Sequence, residues 1–337
     1  MKLLLIVLLL VAAVPACLVL FTWRSVRRVE LALPPQGRFV EVPGARLHVL
    51  DKGPADGAAQ RPALLLIHGL AGNLCHFSCG VVDPLAAHYR VVAVDRPGSG
   101  YSERLPGTAA TLSAQADAMA ALIETLQLGR VVVVGHSLGG AVALTLAQRH
   151  PGRVAALALI APLTHAPTAI SPAFAGLQIR WPWLRTVVAW TLALPATLAQ
   201  RDKILAIVFG PEPVPDDFPT RGGGLLGIRP SHFVAACADL AEVGQDLPTV
   251  IAGYPSMHLP VSVLYGRGDR ILDPVEQGQA LVDELPGAQL KLVEGGHMLP
   301  VTVAAATVAF VTEVVQGLGP AVVSQRPEIS SSSVSAP

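Results

Sequence analysis

The sequence predicts an α/β protein: a mostly parallel sheet with helices on both faces. Three observations carry that expectation. Fully apolar segments of strand length alternate with helical ones, as in a sheet covered on both sides. A long helical, proline-interrupted stretch breaks this alternation once, in the middle of the chain. And "VVVVGHSLGGA", Val131 to Ala141, runs a β-branched segment straight into a helix through a serine with glycines two positions to either side.

The elements follow in order. "RFVEV" and "RLHVLDKG" read as an antiparallel pair joined by a Pro-Gly turn. "ALLLIHG" is a buried strand, and "RVVAVDRPGSG" a second that ends in a glycine-rich loop. "TLSAQADAMAALIETLQL" has the helical period, with Leu112, Met119, Leu122, Ile123 and Leu126 on its apolar side. "RVVVVGHS" and "VAALALIAP" are the third and fourth buried strands, with a helix from Leu138 to His150 between them. From about Pro162 to Leu259 no strand signal is strong. The alternation then resumes with "PVSVLYGRGD", a helix near Pro274 to Leu285, "AQLKLVEGGH" and a last helix from about Val301 to Val315. The predicted organisation is therefore a core in two parts, 38–161 and 260–317, with a cap inserted at 162–259. A Ser/Pro-rich tail at 318–337 is expected to be disordered.

Residues 1–28 are read separately. No charge occurs from Leu3 to Phe21, and Trp23, Arg24, Arg27 and Arg28 follow. A helix of that length is roughly 28 Å long, close to the ~30 Å hydrocarbon core. The expectation is a retained single-pass membrane anchor. A signal cleaved or lipidated near Cys17, or a buried soluble helix, are the alternatives. Lys2 against three arginines gives only a slight bias toward a cytoplasmic catalytic domain.

Composition narrows the function classes. Lysine plus arginine equals aspartate plus glutamate, 24 each, so no basic surface argues for a nucleic-acid partner. The four cysteines, Cys17, Cys75, Cys79 and Cys237, have neither a disulfide-framework nor a zinc spacing. No metal cluster is legible, and no dinucleotide fingerprint follows a strand, so no cofactor is expected.

A tight strand-to-helix turn forces its apex residue into strained angles and pushes that side chain out at the sheet edge. Gly135 and Gly139 remove side chains that would clash. A serine there needs a base in reach and an acid to orient the base. "YGRGDRILDP" offers Asp269, with Asp273 as rival, and "VEGGHMLP" offers His297, each directly after a late strand. Of the other histidines, His48, His88, His150, His165, His232 and His258 lie off these strand ends, whereas His68, His76 and His136 flank the site. Backbone donors for a developing oxyanion are expected at Leu138, after the serine, and at Leu70, after His68-Gly69.

These motifs, "HGLAGN", "DRPGSGYS", "GHSLGG", "GRGD" and "GGH" in that order, resemble the α/β-hydrolase superfamily from about Arg38 to Gly317. The resemblance implies an eight-stranded sheet with a cap inserted after the sixth strand. It implies Ser137 as nucleophile, His297 as base, Asp269 as orienting acid and the Leu70 and Leu138 amides as oxyanion hole. Asp95, opening the loop of "DRPGSGYS", reads as structural. Serine at the apex, where relatives that open epoxides carry aspartate, points to acyl transfer to water.

The cap segment "LQIRWPWLRTVVAWTLALP" holds Trp181, Trp183 and Trp190. Its apolarity suggests a lipophilic ester as substrate, of esterase or lipase type. Those aromatics could instead pack the cap on the core or rest at a membrane surface. A C–C bond hydrolase or perhydrolase-like activity would use the same residues, and a non-catalytic binding protein on the same fold is the remaining alternative.

Overall fold

The computed structural model describes residues 2–54 and 60–319, leaving aside the side chains of 2–12 and 60–61. The tail from Pro320 onward, expected to be disordered, lies outside the described residues. One sheet organises the chain. Its strands are β1 (Arg38–Val42), β2 (Ala45–Lys52), β3 (Gln60–Ile67), β4 (Tyr89–Val94), β5 (Val131–His136), β6 (Val154–Ile160), β7 (Val261–Gly266) and β8 (Gln289–Val293), in the order β1-β2-β4-β3-β5-β6-β7-β8. β1 and β2 form the expected hairpin and β2 meets β4 antiparallel; every pairing from β4 to β8 is parallel. The two-residue strand Glu103–Arg104 on the flank of β2 brings the sheet to nine strands. That addition is too short to carry a periodic signal in the sequence.

The longer helices are α1 (Lys2–Ala32), α2 (Leu112–Thr125), α3 (Leu138–Arg149), α4 (Pro182–Trp190), α5 (Ala193–Phe209), α6 (Pro230–Ala252) and α7 (Ala304–Gln316). Alternation along β5 shows why the buried strands carry no polar face. Val131 and Val133 join the core formed with α2 and α3, while Val132 and Val134 join the core on the opposite face with Phe77, Phe310 and Val311. Thr111 caps α2, accepting from the Ala114 N–H at 3.2 Å.

Between β6 and β7 the chain leaves the sheet and returns through α4, α5 and α6. α6 is fastened to the core at several points. Leu247 and Val250 enter the core beside α2 and α3. The Glu242 and Asp246 carboxylates accept from the Ala110 and Ser113 N–H groups, each at 2.6 Å, at the start of α2, where negative charge is favoured.

The expected membrane anchor is not sustained. Among the described residues no helix is long and apolar enough to cross a membrane. Instead of ending at Phe21, α1 continues through Arg24, Arg27, Arg28 and Glu30 to Ala32, and its last turns dock on the protein. Thr22, Val26 and Val29 are buried, and Glu30 pairs with Arg229 at 3.1 Å. The sequence reading ended this segment at Arg28 as an anchor and did not see that the helix continues to Ala32 and docks on the body of the protein.

This docking predicts a contrast. Val29→Asp, at a buried position, should lower stability in denaturant unfolding by about 1–3 kcal/mol. Leu31→Asp, at a position 84% exposed, should leave the transition within about 0.5 kcal/mol of the parent.

Candidate active site

Ser137 sits between β5 and α3 with φ 54° and ψ −122°, a left-handed conformation that a residue with a side chain adopts only under constraint. The glycines around it explain how the turn closes. A Cβ on Gly135 would lie 2.6 Å from the Gly139 carbonyl oxygen, and one on Gly139 would lie 2.2 Å from that of Ile67. Gly140, to which sequence reasoning gave no role, would meet the Pro162 side chain at 2.4 Å. The Ser137 N–H is held by the Ile160 carbonyl at 3.0 Å, so the neighbouring strand fixes the apex.

The loops after β7 and β8 bring the other predicted side chains to this serine. His297 Nε2 is 3.0 Å from Ser137 Oγ, and His297 Nδ1 is 2.8 Å from Asp269 Oδ2. The His297 and Asp269 side chains are 4% and 0% exposed, and Ser137 is buried. The second carboxylate oxygen of Asp269 accepts from the Ile271 and Leu272 N–H groups at 2.8 and 3.0 Å, which locks its rotamer. The rival Asp273 accepts from the Val275 and Glu276 N–H groups through Oδ1 in the same manner, but it is the Asp269 carboxylate that reaches His297.

Leu70 and Ser137 line one cavity of about 370 Å3, and Leu138 opens α3 beside it, where a first-turn N–H has no intrahelical acceptor. A Cβ on Gly69 would lie 2.8 Å from the Ser137 Cβ, so only glycine lets this loop come so near. The cavity walls are apolar and come from the excursion between β6 and β7, including Phe174, Leu177, Val188, Leu192 and Ile204. The tryptophans singled out in the sequence are not among them. Trp181 and Trp183 are 59% and 67% exposed.

Asp95, read from the sequence as structural, links loops around the site. It accepts from the Leu74 and Tyr101 N–H groups at 2.7 and 2.8 Å and pairs with His48 at 2.7 Å, tying two loops together. Among the described residues no group of three or more His, Cys, Asp or Glu side chains is placed to hold a metal ion.

Comparison with known proteins agrees with this architecture. The sequence profile of the α/β hydrolase fold matches residues 62–302. The chain belongs to the α/β-hydrolase family. It is 31% identical to the magnesium-chelatase 30 kDa subunit of Rhodobacter capsulatus, over 74% of this chain and 84% of that one. It is 29% identical to a 2-hydroxy-6-oxononadienedioate/2-hydroxy-6-oxononatrienedioate hydrolase of Burkholderia vietnamiensis, over 73% and 82%. Among solved structures, a membrane phospholipase A described as a bacterial virulence factor superposes with a TM-score of 0.61 at 28% identity, covering 93% of this chain and 99% of that one. Hydrolase-named relatives of this kind support a hydrolase.

What sequence reasoning missed in this α/β hydrolase is the shell around the three residues. His136, adjacent to the serine, donates its Nε2–H to the His297 carbonyl at 3.0 Å and so fixes the backbone of that loop. His68 donates from Nδ1 to the Gly69 carbonyl at 2.8 Å and accepts the Arg96 N–H at Nε2 at 2.9 Å. Proximity in the motifs was the only signal for either. Burial holds His68 and His136 well below the ordinary imidazole range, with the Arg96 charge adding to the effect at His68. Burial likewise lowers His232, and brings His76 down to about 4.

Two expectations follow. Gly139→Ala should force the β3 and α3 backbones apart, lowering stability by about 1–3 kcal/mol in chemical unfolding. The histidines give a pH dependence. Because their folded values are depressed, the unfolded chain takes up protons that the folded chain refuses. Their contribution is fully present above about pH 6.5 and is lost as the pH falls toward 4, by up to about 1.4 kcal/mol per pH unit per histidine. His76→Gln should therefore flatten the decline of the urea midpoint between about pH 6.5 and 4.5.

Proposed function

We propose that this protein is a serine hydrolase that cleaves lipophilic carboxylic esters through an acyl-enzyme. The observation that carries the reading is the buried relay from Asp269 through His297 to Ser137 Oγ at the base of an apolar-walled cavity. Asp269 accepts the Nδ1–H of His297 and so leaves Nε2 with a lone pair toward the serine. As Ser137 Oγ attacks the ester carbonyl, Nε2 takes its proton, and the carbonyl oxygen becomes an oxyanion. The Leu70 and Leu138 N–H groups are assigned to that oxygen. Collapse expels the alcohol, which receives the proton from His297. Water, deprotonated by the same imidazole, then attacks the acyl-serine and releases the acid.

The apolar walls suit an acyl chain, and the similarity to a phospholipase A is consistent with this class. A second reading is C–C bond hydrolysis by the same residues, favoured by the relative named for hydrolysis of an oxo-dioate whose name contains no ester. Kinetics separate the two: fast turnover of alkyl p-nitrophenyl esters supports the first, and preference for a vinylogous keto acid supports the second.

Ser137→Ala should abolish both turnover and labelling by a fluorophosphonate. Asp269→Asn should lower kcat by about three to four orders of magnitude with the fold intact by circular dichroism. Asp273→Asn should keep parental rates; a collapse of activity there and not at Asp269 would reassign the acid.

A further inference from the structure

The loop that carries the Leu70 amide is gripped from behind by a buried charge network. Arg96 is fully buried. Its guanidinium donates through Nε to the His68 carbonyl at 3.0 Å and through Nη2 to the Gly69 carbonyl at 2.9 Å. Its Nη1 donates to Gln115 Oε1 and to Asp239 Oδ2, each at 2.6 Å. Asp239 lies on α6, outside the sheet core, and also accepts from Arg104 at 2.6 Å. Two turns earlier on α6, His232 accepts the Gly100 N–H at 3.2 Å, so the helix meets the loop after β4 twice.

The consequence for the site is geometric. The Gly69 carbonyl accepts from Arg96, from His68 Nδ1 at 2.8 Å and from the Gly72 N–H at 3.2 Å. A trans peptide is planar, with C=O and N–H pointing opposite ways. Fixing the Gly69 carbonyl toward Arg96 therefore fixes the Leu70 N–H in the opposite direction. A buried ion pair of this kind is weak as a source of stability, since an apolar pair of the same volume does as well or better. Orientation is what the planar fork of arginine supplies and an apolar side chain does not.

We propose that Arg96 is a positioning residue for the oxyanion donor at Leu70, and that Asp239 couples it to helix α6. Arg96 acts through the Gly69–Leu70 peptide and does not touch substrate. The inference rests on the ester-hydrolase reading of Ser137. A donor held in advance needs no reorganisation when the negative charge develops, so its benefit appears in the transition state and not in substrate binding.

Arg96→Lys keeps a positive charge beside Asp239 but cannot reach two carbonyls and a carboxylate at once. With a medium-chain p-nitrophenyl ester its kcat should fall by about 100-fold, with KM within about twofold of the parent. Affinity for an alkyl boronic acid, which forms a tetrahedral anion on serine, should fall by a similar factor, while that for the non-hydrolysable ether analogue holds. Asp239→Asn, nearly isosteric, should shift the same quantities in the same direction by less, and carries the test if the lysine variant does not fold. In both variants hydrogen exchange should quicken in the peptide spanning 68–74 and stay unchanged in β5. Unchanged kcat with unchanged exchange at 68–74 would overturn the proposal, as would an equal loss of ether and boronate binding. A parent protein inert to esters and fluorophosphonate would remove the hydrolase reading alone, and the exchange measurement would still decide the coupling.

Discussion

The turn at Ser137 is the constraint on which the arrangement depends. A β-strand in the middle of a parallel sheet ends, and within one residue a helix begins, so the apex residue takes a backbone conformation unfavourable for any side chain. The conformation persists because its surroundings over-determine it. The Ser137 N–H is held by β6, its carbonyl accepts from Gly140 and Leu163, and three glycines keep neighbouring backbones within distances no Cβ would permit. The turn's own glycines and the distant Ile67, Ile160 and Leu163 backbones all take part. The hydroxyl therefore stands at the sheet edge as a property of the whole core.

Around that point polar groups are buried; most have partners, while His76 Nδ1 and His136 Nδ1 have none among the described residues. Asp269 is held by two backbone N–H groups and His297. His297 in turn has its backbone carbonyl held by His136. Desolvation lowers the His76, His136 and His232 imidazoles near the cavity and so favours their neutral forms. The same low-dielectric surroundings strengthen the hydrogen bonds that orient the relay.

The chemistry and the enclosure come from different segments. Core loops after β3, β5, β7 and β8 supply the polar atoms, and the excursion between β6 and β7 supplies the apolar walls. These two parts meet through charge as well as packing. Glu242 and Asp246 hold the start of α2, and Asp239 meets Arg96 and Arg104. Long α6 is the element common to all of these contacts, and α1 adds a further brace through the pair of Glu30 with Arg229.

The sequence by itself determined the sheet, the elbow and the loops that meet at the candidate site. Apolar β-branched runs can only be strands buried on both faces, and glycines flanking a serine at a strand end have a single steric purpose. These are local signals, readable within about ten residues. Tertiary structure decided what local signals cannot hold. Asp269 and Asp273 are equivalent by type, and each is engaged in the same way by the turn that follows it, so what separates them is that the fold brings Asp269 Oδ2 to 2.8 Å from His297. Trp181 and Trp183 read as packing the cap on the core or resting at a membrane surface; the fold leaves them 59% and 67% exposed and gives the cavity walls to other apolar side chains of the same excursion. The apolar start of the chain read as a membrane span, because hydropathy counts residues and cannot see that the helix runs on through its charged turns and docks. Arg96 and Asp239 are 143 positions apart, and only the closing of α6 over the loop after β4 made them partners.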